Sequence, residues 1–213
     1  MTKEEQYNAL VEKRKACKKC SNCGLINPSQ IESGKFDSDE IGPWTRWHGN
    51  LNADVMIIGQ DWGSEAEFLK MEGIDRENNP TNKFLSELME ELPNRSFFLT
   101  NAALCIRKGK AQGGLNEEWL FNCRSYLIEQ IDIIKPKVVI ALGQKTFYAV
   151  LGALELERNS SIKFKKLVDE GAKIHEGMQI FPVFHPGGLG ISNSGGKDVQ
   201  KALWKKNGKS ITA

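Results

Sequence analysis

The sequence contains no uninterrupted apolar run that approaches the roughly 20 residues needed for a membrane helix. Its first ten residues, MTKEEQYNAL, are charged where a signal peptide would be apolar. A dominant charge is also missing, since 29 basic and 27 acidic side chains leave a net charge of +2, which is too small to indicate a nucleic-acid partner by itself. We therefore expect a cytoplasmic protein that does not insert into a membrane.

Repeats and low-complexity segments are also absent. A composition of 40% hydrophobic and 26% charged residues excludes disordered, collagen-like and fibrous chains. The length of 213 residues suits one globular domain with one core. We therefore predict a single domain over residues 1–213, and we expect it to be a monomer.

The number and spacing of the cysteines indicate a metal site. The chain has five cysteines, and an odd number in a reducing compartment argues against disulfides. Cys17, Cys20 and Cys23 form two overlapping Cys-x-x-Cys pairs, whereas Cys105 and Cys123 lie far downstream. Zinc ribbons usually take their second pair from another tight Cys-x-x-Cys, so the spacing favours an iron–sulfur cluster. Zinc and unligated buried cysteines remain as alternatives.

Four short apolar runs have the pattern of strands that are buried on both faces of a parallel sheet. They read DVMIIG from Asp54, FFLTNA from Phe97, VVIALG from Val138 and IFPVF from Ile180. Helical patterns cover 64–71, 82–92, 116–134, 144–151 and 197–206, after an opening helix that leads into the cysteine run. This alternation predicts an α/β fold with a central four-stranded parallel sheet flanked by helices.

Polar side chains follow three of the predicted strands. The segment 59–63 reads GQDWG, the second strand ends at Asn101, and the segment 185–190 reads HPGGLG. Ligands bind beyond the carboxyl ends of parallel strands, so Asp61, Asn101 and His185 are predicted to converge on one crevice. Each residue taken singly could be a helix cap, a turn former or an ordinary core residue. Together they predict an active site.

Six motifs, in chain order, resemble the iron–sulfur family of the uracil-DNA glycosylase superfamily, known as family four. They are CSNCGL at 20–25, ADVMIIG at 53–59, TNAALC at 100–105, CRSYL at 123–127, PKVVIALG at 136–143 and FHP at 184–186. The resemblance implies the fold of that superfamily. It also implies a DNA glycosylase that flips uracil, or a related deaminated base, out of DNA and hydrolyses its N-glycosidic bond in base-excision repair.

The same resemblance implies a cofactor and a set of site residues. A 4Fe-4S cluster, with zinc as the alternative, would be held by Cys20, Cys23, Cys105 and Cys123, which leaves Cys17 over. Asp61 and His185 would be the catalytic groups, one near the sugar and one at the base oxygen. Asn101 would read the edge of uracil. The other candidates for the base pocket are Gln60, Trp62 and Gly63, and those for DNA binding are Gly187, Gly188, Leu189 and Ser192, with Leu189 as a wedge.

Several motifs depart from the family pattern. The first motif reads GQDWG where family four usually has Gly-Glu-Ala-Pro-Gly, and its Gln60 and Asp61 are similar to the Gly-Gln-Asp-Pro-Tyr motif of family one. A base-stacking Pro-Phe has no counterpart at 78–81, and Arg-Pro-Pro after the third cysteine has become IRK at 106–108. These departures leave a second hypothesis, a weak or inactive DNA-binding relative that retains the pocket and the cluster. A zinc-containing nucleotide-binding protein is a third.

Overall fold

The structure is a computed structural model that describes residues 1–74, 79–109 and 116–211. Asn78, the first residue of the segment compared above with the Pro-Phe motif, lies outside them. The helices are α1 (Lys3–Lys15), α2 (Pro43–Trp47), α3 (Glu65–Lys70), α4 (Pro80–Met89), α5 (Glu117–Ile134), α6 (Gln144–Ala153), α7 (Phe164–Glu170), α8 (Gly188–Ser194) and α9 (Lys197–Ser210). The strands are β1 (Leu25–Ile26), β2 (Val55–Gly59), β3 (Phe97–Asn101), β4 (Ile106–Arg107), β5 (Val138–Leu142), β6 (Lys173–His175) and β7 (Met178–Val183).

The central sheet has the strand order β3-β2-β5-β7-β6. The first four strands in that order are parallel, and they are the four apolar runs of the sequence, so the predicted α/β class is confirmed. The fifth strand, β6, pairs antiparallel with β7 at the edge. Its only large apolar side chain, Ile174, is 60% exposed, which explains why no buried-strand pattern marks it.

The parallel strands are apolar throughout because both faces of the sheet are covered. Met56 and Ile58 of β2 pack into one hydrophobic cluster with residues of α1, α5 and α6. Val55 and Ile57 pack into a second cluster with residues of α4 and α9. Since successive side chains of a strand point to opposite faces, alternate residues of β2 contribute to the two clusters.

Local capping fixes where the helices begin. Ser64 and Glu67 form a capping box at the start of α3, and the side chain of Asn116 accepts a hydrogen bond from the N–H of Glu118 at the start of α5. Helix α1 ends before the cysteine run. The Asn27 side chain donates to main-chain carbonyls of Arg14, Lys15 and Cys17 there, which satisfies groups that a helix end leaves unpaired.

Two short strands lie apart from the central sheet and form what we call the ribbon, β1 paired antiparallel with β4. Leu25 is opposite Arg107 and Ile26 is opposite Ile106. Each strand of the ribbon begins just after a cysteine: β1 begins two residues after Cys23, and β4 begins at the residue after Cys105. The ribbon therefore lies next to the cysteine-rich region. Within the described ranges, no helix is long and apolar enough to cross a membrane.

Candidate active site

Asp61, Asn101 and His185 all line one cavity of about 490 Å³ at the carboxyl edge of the sheet. Asp61 follows β2, Asn101 is the last residue of β3, and His185 follows β7. Gly59 and Asn101 are direct partners across the β2–β3 pair. The common direction of the parallel strands therefore brings together side chains that are more than 120 residues apart in sequence.

The amide of Asn101 is buried in the wall of this cavity. The residue is 3% exposed, and its Oδ1 has no hydrogen-bond partner among the residues that the structure describes. A methyl group at Gly59 would lie 2.4 Å from that oxygen and 2.5 Å from the Trp44 ring. Only glycine at position 59 therefore allows the amide and the indole to pack this closely. A buried acceptor without a partner is costly, and a ligand with an N–H would satisfy it.

Trp44 is an aromatic wall residue that the sequence motifs did not indicate. It is 8% exposed and lines the cavity. Its helix, α2, is held on β3 because the Thr45 hydroxyl donates to the Leu99 carbonyl at 2.7 Å. The Leu99 N–H in turn donates to the His48 carbonyl at 2.8 Å. The contact between α2 and β3 joins segments about 55 residues apart, so no local pattern could reveal it.

Both carboxylate oxygens of Asp61 are held. Oδ1 accepts from the Gly63 N–H at 2.9 Å, and Oδ2 accepts from Nη2 of Arg107 at 2.6 Å. The Asp61 side chain is 2% exposed and that of Arg107 is 15% exposed. This ion pair is almost entirely buried, and the motif comparison did not reveal it. Burial without a partner would strongly disfavour a charged carboxylate.

Hydrogen bonding defines the protonation of His185. Its Nδ1 accepts from the Gly187 N–H at 3.0 Å, so in the neutral ring the proton lies on Nε2, which becomes a donor. Burial lowers the pKa of His185 below its ordinary value of 6.5, and the negative charge of Asp61 opposes this shift in part. The imidazole is therefore neutral at pH 7.

A histidine titration followed by NMR would test this assignment. We expect the titration midpoint of His185 to lie below 6.5, because burial disfavours the imidazolium. The Asp61→Asn variant should lower the midpoint further, since it removes the charge that favours the protonated ring. The other two histidines serve as internal references. A His185 midpoint above 6.5 in the wild-type protein would contradict the assignment.

The remaining base-pocket candidates occupy different places. Trp62 and Gly63 line the cavity, whereas the Gln60 side chain lies beside Gly143 and is not among the lining residues. Trp62 also packs against an apolar cluster that includes Phe68, so it is both a wall and a core residue. Gly63 has φ +88°, and a methyl group there would lie 2.9 Å from Oε2 of Glu67. Position 63 thus requires glycine, and the Glu67 carboxylate fills the neighbouring space.

The loop after His185 presents an apolar side chain to solvent. Leu189 is 84% exposed in the first turn of α8, and Gly188 and Ser192 are exposed near it. Gly190 is so close to the main chain of His185 that a methyl group would lie 1.9 Å from the His185 carbonyl oxygen. The exposed leucine is therefore fixed next to the histidine of the cavity.

Serine and basic side chains near this loop and beside the cavity, which could donate to a phosphate, differ in how far they are already engaged within the protein. Ser192 and Lys197 are exposed, and Lys197 lies over the Phe84 ring at 4.7 Å. Other candidates have protein partners: Lys201 pairs with Glu87, Ser194 donates to the carbonyls of Ile191 and Gly196, and Arg107 pairs with Asp61. Ser192 and Lys197 are thus the candidates best placed to meet a phosphate.

The five cysteines lie together around the ribbon. Cys20 and Cys105 share a small apolar cluster with Leu25, and Cys23 borders it. Asn122 donates to Sγ of Cys20 at 3.4 Å. Burial raises the pKa of the Cys105 thiol, and the neighbouring Cys123 and Cys20 raise it further. Within the described ranges, no three His, Cys, Asp or Glu side chains are arranged to hold a single metal ion.

Comparisons with known proteins agree with the motif resemblance. A family model described as "Uracil DNA glycosylase superfamily" matches residues 47–206. A protein named type-5 uracil-DNA glycosylase from Pyrobaculum aerophilum is 23% identical over 204 residues, covering 87% of this chain and 84% of the relative.

Two further relatives carry the name type-4 uracil-DNA glycosylase. The one from Thermotoga maritima is 22% identical over 188 residues, with 87% of this chain and 83% of the relative covered. The one from Archaeoglobus fulgidus is 25% identical over 140 residues, with 65% of this chain and 67% of the relative covered.

Proposed function

Because the chain belongs to the uracil-DNA glycosylase superfamily, we propose that it is a hydrolase that excises uracil from DNA. The observation that carries this proposal is the cavity in which Asp61, Asn101 and His185 meet. A carboxylate, a carboxamide and a neutral imidazole match the three tasks of the reaction: activating water, recognising the base, and stabilising the departing base anion. The polymer partner is DNA that contains uracil or another deaminated base.

Recognition of uracil follows from the buried amide of Asn101. Its Oδ1 would accept the N3–H of uracil, and its Nδ2 would donate to O4. Cytosine presents an acceptor at N3 and a donor at the 4-position, so both hydrogen bonds would be lost. The Trp44 wall, which contacts the same region around Gly59, would supply the aromatic surface that the sequence motifs lack.

Cleavage breaks the bond between C1′ of the sugar and N1 of uracil, and the bonding electron pair leaves with the base. The Nε2–H of His185 would donate to O2 of the resulting anion, and a neutral donor does not add a second cation beside the cationic sugar. Asp61 would orient the water that attacks C1′, and the proton that this water loses would neutralise the uracil anion once it has left. A uracil anion is stable enough to leave without full protonation, so a second carboxylic acid is unnecessary.

Leu189 is proposed as the wedge that replaces the flipped base in the stack, because it is exposed and close to the cavity. Flipping a base from a duplex costs a few kcal/mol of unstacking and unpairing. A single strand needs much less of this work. The wedge should therefore matter mainly for duplex substrates.

Truncation of Leu189 tests this role. We expect Leu189→Ala to slow excision from duplex DNA by about tenfold or more, because the variant would no longer offset part of the few kcal/mol that base flipping costs. Excision from single-stranded DNA should slow much less. Ile174→Ala is the matched control, because Ile174 is also an exposed aliphatic residue but lies on the edge strand β6. Equal losses on the two substrates would rule out the wedge.

We also propose that Cys20, Cys23, Cys105 and Cys123 hold a 4Fe-4S cluster. Cys20, Cys23 and Cys105 lie at one small apolar cluster, and Cys123 of α5 is close enough to Cys105 to raise the pKa of its thiol. Four thiolates are the ligand set of a 4Fe-4S cluster. Such a group supplies thiolate–iron bonds that tie these segments together. Held in this way, the four cysteines would anchor α5 and both strands of the ribbon beside the loop that carries Asp61.

Release of free uracil tests the proposed function. Protein purified without oxygen is mixed with a uracil-containing oligonucleotide, and the released base is separated and quantified. We expect uracil to appear and the matching cytosine or thymine strands to remain intact. A panel of other deaminated bases would define the range of substrates. Binding of uracil-containing DNA without base release would instead identify an inactive DNA-binding relative.

A further inference from the structure

We infer that Arg107 is a positioning residue for the reaction, which holds the Asp61 carboxylate in a fixed orientation rather than contacting DNA phosphate. This inference rests on the proposed function, because it assigns a task within that reaction. Its basis is the buried ion pair: Nη2 of Arg107 lies 2.6 Å from Oδ2 of Asp61. The side chains are 15% and 2% exposed, so the guanidinium is largely withdrawn from the surface where phosphates would lie.

Main-chain hydrogen bonds also hold Arg107 in place, in addition to its side-chain ion pair. The N–H of Arg107 donates to the Gly63 carbonyl at 3.1 Å, and the Gly63 N–H donates to Oδ1 of Asp61 at 2.9 Å. Arg107 is also opposite Leu25 in the ribbon. The loop, the ribbon and the ion pair therefore form one closed arrangement around the carboxylate.

The ribbon gives this arrangement its rigidity. Its strands start beside Cys23 and Cys105, and the Lys108 N–H donates to the Gly24 carbonyl at 3.1 Å. Whatever fixes these cysteines therefore also fixes the position of Arg107. The cysteines are thus connected to the Asp61 carboxylate through the two short strands of the ribbon, since Arg107 is the last residue of β4.

The ion pair with Arg107 bears on whether Asp61 stabilises the sugar cation by its charge or orients the attacking water. Together the carboxylate and the guanidinium have no net charge, so Asp61 is a weak counter-charge for a sugar cation. It remains a directional hydrogen-bond acceptor whose two oxygens are fixed. The geometry thus favours orientation of the attacking water, which depends on the direction of the acceptor.

A set of four variants tests the inference by single-turnover kinetics at saturating enzyme. We expect Arg107→Met to slow base release by about 10²-fold, the scale of a misplaced catalytic group, and Arg107→Lys to recover part of that loss. Lys108→Met is the matched control, because it removes a positive charge from the next residue, which is exposed and donates to Ser21 rather than to Asp61. It should react like the wild type.

The fourth variant places Arg107→Met in an Asp61→Asn background. If Arg107 acts through Asp61, the second change should add less than about threefold to the loss caused by the first, because the two residues form one unit. This variant also has no unpaired buried carboxylate, so it keeps the test informative if Arg107→Met alone folds poorly. Urea unfolding of each protein checks folding independently.

Affinity for DNA with an uncleavable uracil nucleotide separates positioning from phosphate contact. We expect Arg107→Met to change this affinity by less than about threefold, with an unaltered salt dependence. A weaker, less salt-dependent complex with an unchanged single-turnover rate would overturn the inference, and so would fully multiplicative effects in the double variant or a wild-type rate for Arg107→Met. Those results leave the proposed function intact, whereas a wild-type protein that releases no base overturns both.

Discussion

Replacing Asp61 with asparagine should slow base release by roughly two to four orders of magnitude, the contribution typical of one well-placed catalytic group. Asparagine preserves the size of the side chain, and its oxygen could still accept from the Gly63 N–H. The loss would therefore come from a weaker, neutral acceptor for the attacking water and from the broken ion pair with Arg107, which no longer fixes the side chain. Single-turnover kinetics at saturating enzyme measure this chemical step directly.

DNA affinity should hardly change in the same variant, because affinity is set mainly by phosphate contacts. Asp132→Asn is the matched control: it makes the same chemical change at an exposed residue of α5. We expect this control to react at the wild-type rate. If Asp61→Asn also does so, Asp61 has no part in the chemical step.

Replacing Cys105 with serine should destabilise the protein by several kcal/mol, because metal binding is coupled to folding. Cys105 is buried and immediately precedes β4, so the loss would release the ribbon as well as one cluster ligand. Protein purified without oxygen should be brown and contain about four iron atoms per chain. Urea unfolding, iron analysis and the absorption spectrum measure these effects.

Cys17→Ser is the control for that experiment. Cys17 lies near Tyr126 and Cys105, but it is not one of the four proposed ligands. Its loss should leave the iron content unchanged. If Cys17→Ser removes iron and Cys105→Ser does not, the ligand set is wrong. A colourless protein that contains zinc would overturn the iron assignment.

The sequence predicts the parts of the fold that depend on local patterns. Buried runs such as VVIAL mark the parallel strands, and capping residues such as Ser64 and Asn116 mark helix starts. The edge strand β6 and the ribbon are too short, and β6 is too exposed, to carry such a pattern. Their existence depends on contacts with distant segments.

The same distinction applies to the site. Asp61, Asn101 and His185 could be found because parallel strands place their carboxyl ends at one edge of the sheet. The ion pair between Arg107 and Asp61 could not be found, since it depends on how the ribbon lies against the loop after β2. Trp44 reaches the cavity only because α2 is held along β3. Arrangements of this kind require the three-dimensional structure.

The most direct test of the central claim is a structure of the protein bound to DNA with an uncleavable uracil nucleotide. We expect the flipped base in the 490 Å³ cavity, with O2 within hydrogen-bond distance of Nε2 of His185 and with N3 and O4 facing the Asn101 amide. Asp61 should still be paired with Arg107 and should face C1′ through a water molecule. A base bound elsewhere, or one in the cavity without contact to Asn101 or His185, would contradict the account.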